Sequence, residues 1–287
     1  MEPSEAAALL KEVQATELIM LKEVAAFCDA RGLRYYLYCG TLLGAVRHGG
    51  FIPGDDDVDL AMPYGDYRRF LASREELTGY TVESPETNPY AYTTWIRVYK
   101  DGTTFLDPAA VGTPVHKGVF LDIYPIIGAR TSRLGRKWQS LCLRGAMSLL
   151  ASGQFRNRTE MKHPLTRLAA RLPEPMTRRM GHLLWKICGR DDTKREYVGT
   201  VDRALFAPKY RRADWEKTVR LPFEDAEFTA PAEWDRFLRI MYGDYRTLPP
   251  LFMRRNHIER QGDRMIIDMN RDYREVEEQL MQQEGRL

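Results

Sequence analysis

The feature that most constrains this chain is the run Asp55-Asp56-Asp57-Val58-Asp59, which puts four carboxylates into five positions directly before the apolar Leu60-Ala61-Met62. Like charges this close repel one another, so a run of this kind is ordinarily a solvated loop. Here the residues that follow read as a strand, Val58 to Met62, so the acids stand where the chain turns into the core. In an extended backbone alternate side chains share a face, which groups Asp55, Asp57 and Asp59 and turns Asp56 away. Carboxylates two residues apart can converge on a small hard cation, whose oxygen ligands lie at about 2.1 Å for magnesium. A calcium loop of the EF-hand type is excluded, because its sixth position must be glycine and Leu60 stands there.

A magnesium-holding D-x-D strand commonly serves nucleotide phosphates. Such a site also needs a place where backbone amides meet a phosphate. Gly40-Thr41, at a strand-to-helix turn upstream, supplies one: glycine allows close approach, and the hydroxyl and helix N-terminus donate hydrogen bonds.

Around these motifs the chain of 287 residues divides into three regions. Residues 1–128 read as a mixed core. A first helix has Ser4 as its cap and Leu9, Val13, Met20, Val24, Phe27 and Cys28 on one side, and it ends at Gly32. Strands follow at Tyr35–Tyr38, Val58–Met62 and Val119–Tyr124, and Tyr90–Tyr99 with Thr103–Leu106 reads as a hairpin turning at Asp101-Gly102. Residues 129–200 are helical, with apolar stripes of Trp138, Leu141, Cys142, Met147, Leu149 and Leu150, then Leu165, Leu168 and Leu172, then Met180, Leu183, Leu184 and Ile187. Residues 201–287 return to mixed structure, with a Val219–Phe223/Ala226–Thr229 pair about an acidic turn, a helix from Ala232, and a polar final helix.

Charge sharpens this division. Between Arg130 and Arg190 there are fourteen Lys or Arg and only Glu160 and Glu174 as acids, so the block carries +12 while the rest carries −9. That is either a solvated helical face or a surface for anionic membrane lipids; no motif supports nucleic acid. The longest stretch free of charged residues is the 12 residues Tyr35–Val46, too short for a membrane span, and the amino terminus lacks the pattern of a secretory signal. A cytoplasmic protein, peripheral on the inner face of the plasma membrane if the basic block binds lipid, is the expectation. The four cysteines are too scattered for a zinc or redox pair and read as reduced thiols.

The segment GTLLGAVRHGGFIPGDDDVDLAMPYGDYRRF resembles the signature of the LicD family of phosphocholine transferases, related to the fukutin group. HKGVFLDIYPI and AEFTAPAEWDRFLRIMYGDYRTLPPLFMRRNH resemble the family's second and carboxy-terminal motifs, so the likeness frames the chain. It implies an α+β, nucleotidyltransferase-like (polymerase-β-like) fold: a mixed sheet with flanking helices, here with a basic helical insertion at 129–200.

The same resemblance implies Mg2+, with Mn2+ as a substitute, held by Asp55, Asp57, Asp59 and Asp122. Asp57, Asp59 and Asp122 would act in catalysis, and Gly40 and Thr41 would meet the nucleotide. Arg47, His48, Lys100 and Lys117, with Arg97, are further candidates for the donor phosphates, and Tyr90, Tyr92, Trp95 and Tyr99 are either core or a stacking surface. His257 reads equally as a structural tie. The implied reaction moves a phospho-alcohol group from a CDP-alcohol, CDP-choline by default, to a hydroxyl of a glycan or lipid-linked glycan. Family members usually carry Trp before the acidic run where this chain has Gly54, which leaves ribitol or glycerol open beside choline. The rival readings are a D-x-D glycosyltransferase using a nucleotide sugar, a nucleotidyltransferase using ATP or CTP, and a membrane-bound scaffold without activity.

Overall fold

A computed structural model describes residues 3–154, 164–189, 195–200, 210–248 and 265–283. Helix α1 (Pro3–Ala30) buries Val13, Met20, Val24, Phe27 and Cys28, and Gly32 beyond it adopts a φ of +58°. The chain then passes through β1 (Tyr36–Leu37), α2 (Cys39–His48), β2 (Asp59–Pro63), α3 (Tyr64–Ala72), β3 (Tyr80–Glu83), β4 (Ile96–Lys100), β5 (Thr104–Leu106) and β6 (Phe120–Gly128). Next come α4 (Arg133–Gln154), α5 (Pro164–Ala169), α6 (Glu174–Cys188), β7 (Tyr197–Thr200) and β8 (Tyr210–Arg211). The hairpin β9 (Thr218–Phe223)/β10 (Ala226–Pro231) leads to α7 (Trp234–Tyr242), β11 (Ile266–Asp268) and α8 (Tyr273–Gln283).

The main sheet runs β1-β2-β6-β4-β3, with β7 on the later part of β6 and β8 beyond it. It is mixed, since β2 and β6 are parallel while the other neighbours are antiparallel. The protein is therefore α+β. Strand β6 is central and buried for nearly its whole length, which is why its sequence is an almost unbroken apolar run. Helices α1 and α3 close over the sheet, with Phe27 and Phe70 meeting edge to face at 5.5 Å. The helices α4–α6 lie in the connection between β6 and β7, which are neighbours in the sheet.

One expectation changes. The aromatic segment and Thr103–Leu106 do not pair with each other. Both edges of β4 are taken by β3 and β6, so after the turn at Asp101-Gly102 the chain leaves the sheet and β5 pairs with β11. The apolar stripes of the helical segment, whose facing the sequence left open, divide between inside and outside. On α4, Cys142 and Leu150 are buried while Trp138 and Leu141 are exposed; on α6 the buried positions are Thr177, Gly181, Trp185 and Cys188, leaving Met180, Leu183 and Ile187 outside. At about 100° per residue those two sets fall on different sides of one helix.

Candidate active site

The acidic run is positioned by a turn and two ladders. Ile52-Pro53-Gly54-Asp55 forms a turn in which the Asp55 amide donates to the Ile52 carbonyl at 2.8 Å, with Gly54 at φ +91°. Pro at the second position and a left-handed glycine at the third are what a type II turn requires. A side chain at position 54 would be strained in this backbone. Regular β structure begins only at Asp59. Exposure nevertheless alternates before it, with Asp55 and Asp57 half-buried and Asp56 and Val58 buried.

Asp59 is buried, and its position is fixed by its backbone. Its amide donates to the Thr41 hydroxyl at 2.8 Å, and its carbonyl accepts from the Tyr38 amide at 3.0 Å. Thr41 thus ties the first turn of α2 to the start of β2. Gly40 lies so close that a Cβ there would come within 2.9 Å of the Asp55 carboxylate. Cys39, at the junction of β1 and α2, has a φ of +42°, a left-handed conformation rare for a side chain of this type. The N-terminus of α2 and the acidic segment are therefore in contact.

Across the sheet, Asp59 is the register partner of Asp122, Asp122 of Arg97, and Arg97 of Glu83. Register partners share a face, so these four side chains form one row. The Arg97 guanidinium reaches Asp122 through Nε at 2.8 Å and Nη2 at 3.4 Å, also bonds the Tyr92 hydroxyl, and lies 3.9 Å over the Phe120 ring. Burial by itself would lower the Arg97 pKa, but Asp122, with Tyr92 and Tyr99, raises it well above its usual value, so the cation is permanent. Beyond this row Tyr124 shares the face of Asp122, with Trp95 at 4.8 Å and Tyr38 at 5.7 Å between ring centroids. Among the expected aromatics, Tyr99 is buried against His116, Trp95 is half-buried, and Tyr90 is exposed under the Arg178 guanidinium.

The other expected residues stand apart from this row. Arg47 and His48 occupy the last turn of α2, about 10 Å along the axis from Gly40. There Arg47 donates to the Tyr245 carbonyl at 2.9 Å, and burial followed by the Arg47 charge lowers the His48 pKa. The Lys100 ammonium lies 4.9 Å from the Tyr80 ring centre. Lys117 is buried and gives its three protons to the Thr113 and Val115 carbonyls and to Glu277. His257 lies outside the described residues.

Sequence reasoning missed Glu17. It is buried on α1, its Oε2 has no hydrogen-bond partner among the described residues, and burial, then Asp57, Asp56, Asp55 and Asp59 in that order, push its pKa well above 4.5. A signal existed: Glu17 falls midway between Val13 and Leu21 on the buried stripe of α1, a slot that periodicity reserves for an apolar residue. Gln14, on the next turn, donates to the Asp55 carbonyl at 2.7 Å.

Oxygen-only donors in an excess of negative charge fit a hard divalent cation. Among the described residues, however, no three acidic, His or Cys side chains already converge on one point. The donor set suits the ion, and no coordination geometry is assigned to it.

Residues 32–142 match the family described as LicD/FKTN/FKRP, nucleotidyltransferase domain. The chain is 27% identical over 248 residues to the lipopolysaccharide cholinephosphotransferase LicD of Haemophilus influenzae, spanning 84% of this chain and 92% of that protein. It is 46% identical over 56 residues to the ribitol 5-phosphate transferase FKRP of Homo sapiens and of Mus musculus, covering 20% of this chain and 10% of those proteins.

Proposed function

Since residues 32–142 carry a LicD-family domain and the chain is homologous to phosphotransferases of the LicD and FKRP type, we propose that it transfers a phospho-alcohol group. The donor is a CDP-alcohol, with CDP-choline first among the candidates, and the acceptor is a hydroxyl of a cell-surface glycan or lipid-linked glycan. On this reading the sheet is nucleotidyltransferase-like and the reaction takes place in the cytoplasm.

The observation that carries the reading is the row of Asp59 and Asp122 beside the Asp55–Asp57 segment, in contact with the N-terminus of α2. Asp55, Asp57 and Asp59, with Asp122, would hold Mg2+, or Mn2+ in its place. The ion supplies charge neutralisation at the pyrophosphate. Gly40 and Thr41 offer helix N-terminal amides to the donor phosphates. The acceptor oxygen bonds to the phosphorus that carries the alcohol, the bridging P–O bond breaks and CMP leaves. The hydroxyl proton passes to Asp122, which Arg97 holds in orientation. Trp95, half-buried on the same face, is the ring offered to the base or the alcohol.

A thermal-shift panel of CDP-choline, CDP-ribitol, CDP-glycerol, a UDP-sugar, ATP and CMP, with and without magnesium, tests this. Ligand at a hundredfold excess over its dissociation constant stabilises a native state by about 2.7 kcal/mol. Magnesium-dependent stabilisation by one CDP-alcohol, with CMP released on turnover, is expected. A response to the UDP-sugar or ATP alone, or release of pyrophosphate, would sink the proposal.

A further inference from the structure

The helical segment between β6 and β7 leaves an apolar surface outside. On α4, Leu134, Trp138 and Leu141 are 79%, 46% and 57% exposed; on α6, Met176, Met180, Leu183 and Ile187 are 47%, 40%, 57% and 49% exposed. Each set follows i, i+4, i+7 spacing, so each forms one narrow stripe along its helix. The helices run antiparallel. Gln139 bonds the Cys188 carbonyl, Gly145 lies against Leu184, and Gly181 lies against Ala146 and Leu150. Helical geometry then puts the α4 and α6 stripes on the same side of the pair, beside the seam. Leu168 of α5 adds a further side chain, 60% exposed.

The border of this surface is cationic. Arg133 and Lys137 flank the stripe of α4, and Arg179 and Lys186 that of α6, all exposed. The only acid on these three helices is Glu174, whose carboxylate faces Arg178 at 3.7 Å. Exposed Leu, Met, Ile and Trp are costly in water at this density, and a rim of one sign adds charge complementarity to an extended anionic surface. An anionic bilayer meets both features, with acyl chains for the stripes and phosphates for the rim. Among the described residues no helix is long and apolar enough to cross a membrane, so the contact is one of lying on the surface.

We infer that the α4–α6 face is a membrane-docking surface, which lays its apolar stripes into the headgroup boundary of an anionic phospholipid leaflet. This holds whatever donor the acidic row takes. The segment is fixed to the core by His182, which bonds the Pro89 carbonyl at 3.0 Å, and by Arg178 over Tyr90. Docking would therefore place the whole molecule and not a loose arm.

The test is flotation of the full chain with vesicles of neutral phosphatidylcholine or of phosphatidylcholine with about a third phosphatidylglycerol, without nucleotide or magnesium. Binding to the anionic vesicles only, weakened by salt, is expected. The triple variant Leu134→Ser, Leu141→Ser, Leu183→Ser should lose at least tenfold in partitioning while keeping its melting temperature. The double variant Lys137→Gln, Lys186→Gln should lose severalfold and respond less to salt. Failure to float with anionic vesicles, equal flotation of the triple variant, or a dimer in solution that the triple variant abolishes would each overturn the inference. Activity on a soluble acceptor should survive the triple variant, which separates this result from a failure of the transferase reading.

Discussion

Asp59 and Asp122 are register partners on the adjacent parallel strands β2 and β6, and the Arg97 guanidinium holds Asp122 from the opposite side at 2.8 Å. Two carboxylates thus stand side by side on one face, and Arg97 anchors Asp122 within that row. The arrangement predicts different consequences for the two acids.

Asp122→Ala should destabilise the protein by about 3–5 kcal/mol, because it leaves the largely buried Arg97 charge without its carboxylate. Asp59→Asn should abolish turnover and cost less stability than Asp122→Ala, since the backbone bonds that place residue 59 remain and the side chain keeps its size. Urea unfolding of both variants, beside their turnover, checks the contrast. Equal destabilisation by the two changes would contradict it.

Thr41→Val should cost about 1–3 kcal/mol, because it removes the acceptor of the buried Asp59 amide. Thr41→Ser should restore most of that loss. Thermal melts of the pair give the answer, and a serine variant as unstable as the valine one would show that the methyl group matters as much as the hydroxyl.

Gly40→Ala should lower turnover at least tenfold while changing stability little. The new Cβ would meet the Asp55 carboxylate at 2.9 Å, and a side-chain carboxylate can swing aside where backbone could not. Steady-state kinetics alongside a melt would show a rate defect without unfolding.

Glu17 makes stability depend on pH. Its folded pKa is raised above 4.5, so between 4.5 and the folded value the native state holds a proton that the unfolded chain has released. Stability from this group is complete below pH 4.5 and is lost as pH rises through the folded pKa. Glu17→Gln should therefore match the parent at low pH and exceed it at high pH. Melting temperatures across the pH range, without divalent ions, test the sign; a constant offset would show that Glu17 does not titrate in this way.

Lys117 and Glu277 tie α8 to the loop before β6, with Nζ to Oε1 at 3.0 Å and both side chains largely buried. Glu277→Ala should destabilise more than the double change Lys117→Met with Glu277→Leu, because the single change leaves a buried ammonium behind. Burial and Glu277 act oppositely on this lysine, burial more strongly, and its pKa is lowered. A double variant less stable than Glu277→Ala would show that the pair itself holds the helix.

Much of the site could be read from local order. The acidic run before an apolar strand and the glycine and threonine opening α2 are relationships between near neighbours, set by backbone sterics and period. The hairpin β9/β10 and the buried stripe of α1 were legible for the same reason. The aromatic hairpin was misread because a strand's sequence does not say which strands will take its edges, and β4 was claimed on both sides by β3 and β6. Which of the helical stripes would be covered lay beyond the sequence, because periodicity identifies a face without saying whether anything packs on it.

The sequence by itself determined the acidic run, the turn that launches it and the segregation of charge, because each depends on residues adjacent along the chain. Only the tertiary structure decided that Asp122 and Arg97 join Asp59 in one row, that Glu17 sits within the field of the aspartates, and that Lys117 is bound to Glu277. Those relationships span tens to more than a hundred residues. They arise when distant segments bury apolar surface together, and the charged groups carried in with them must then find partners away from water.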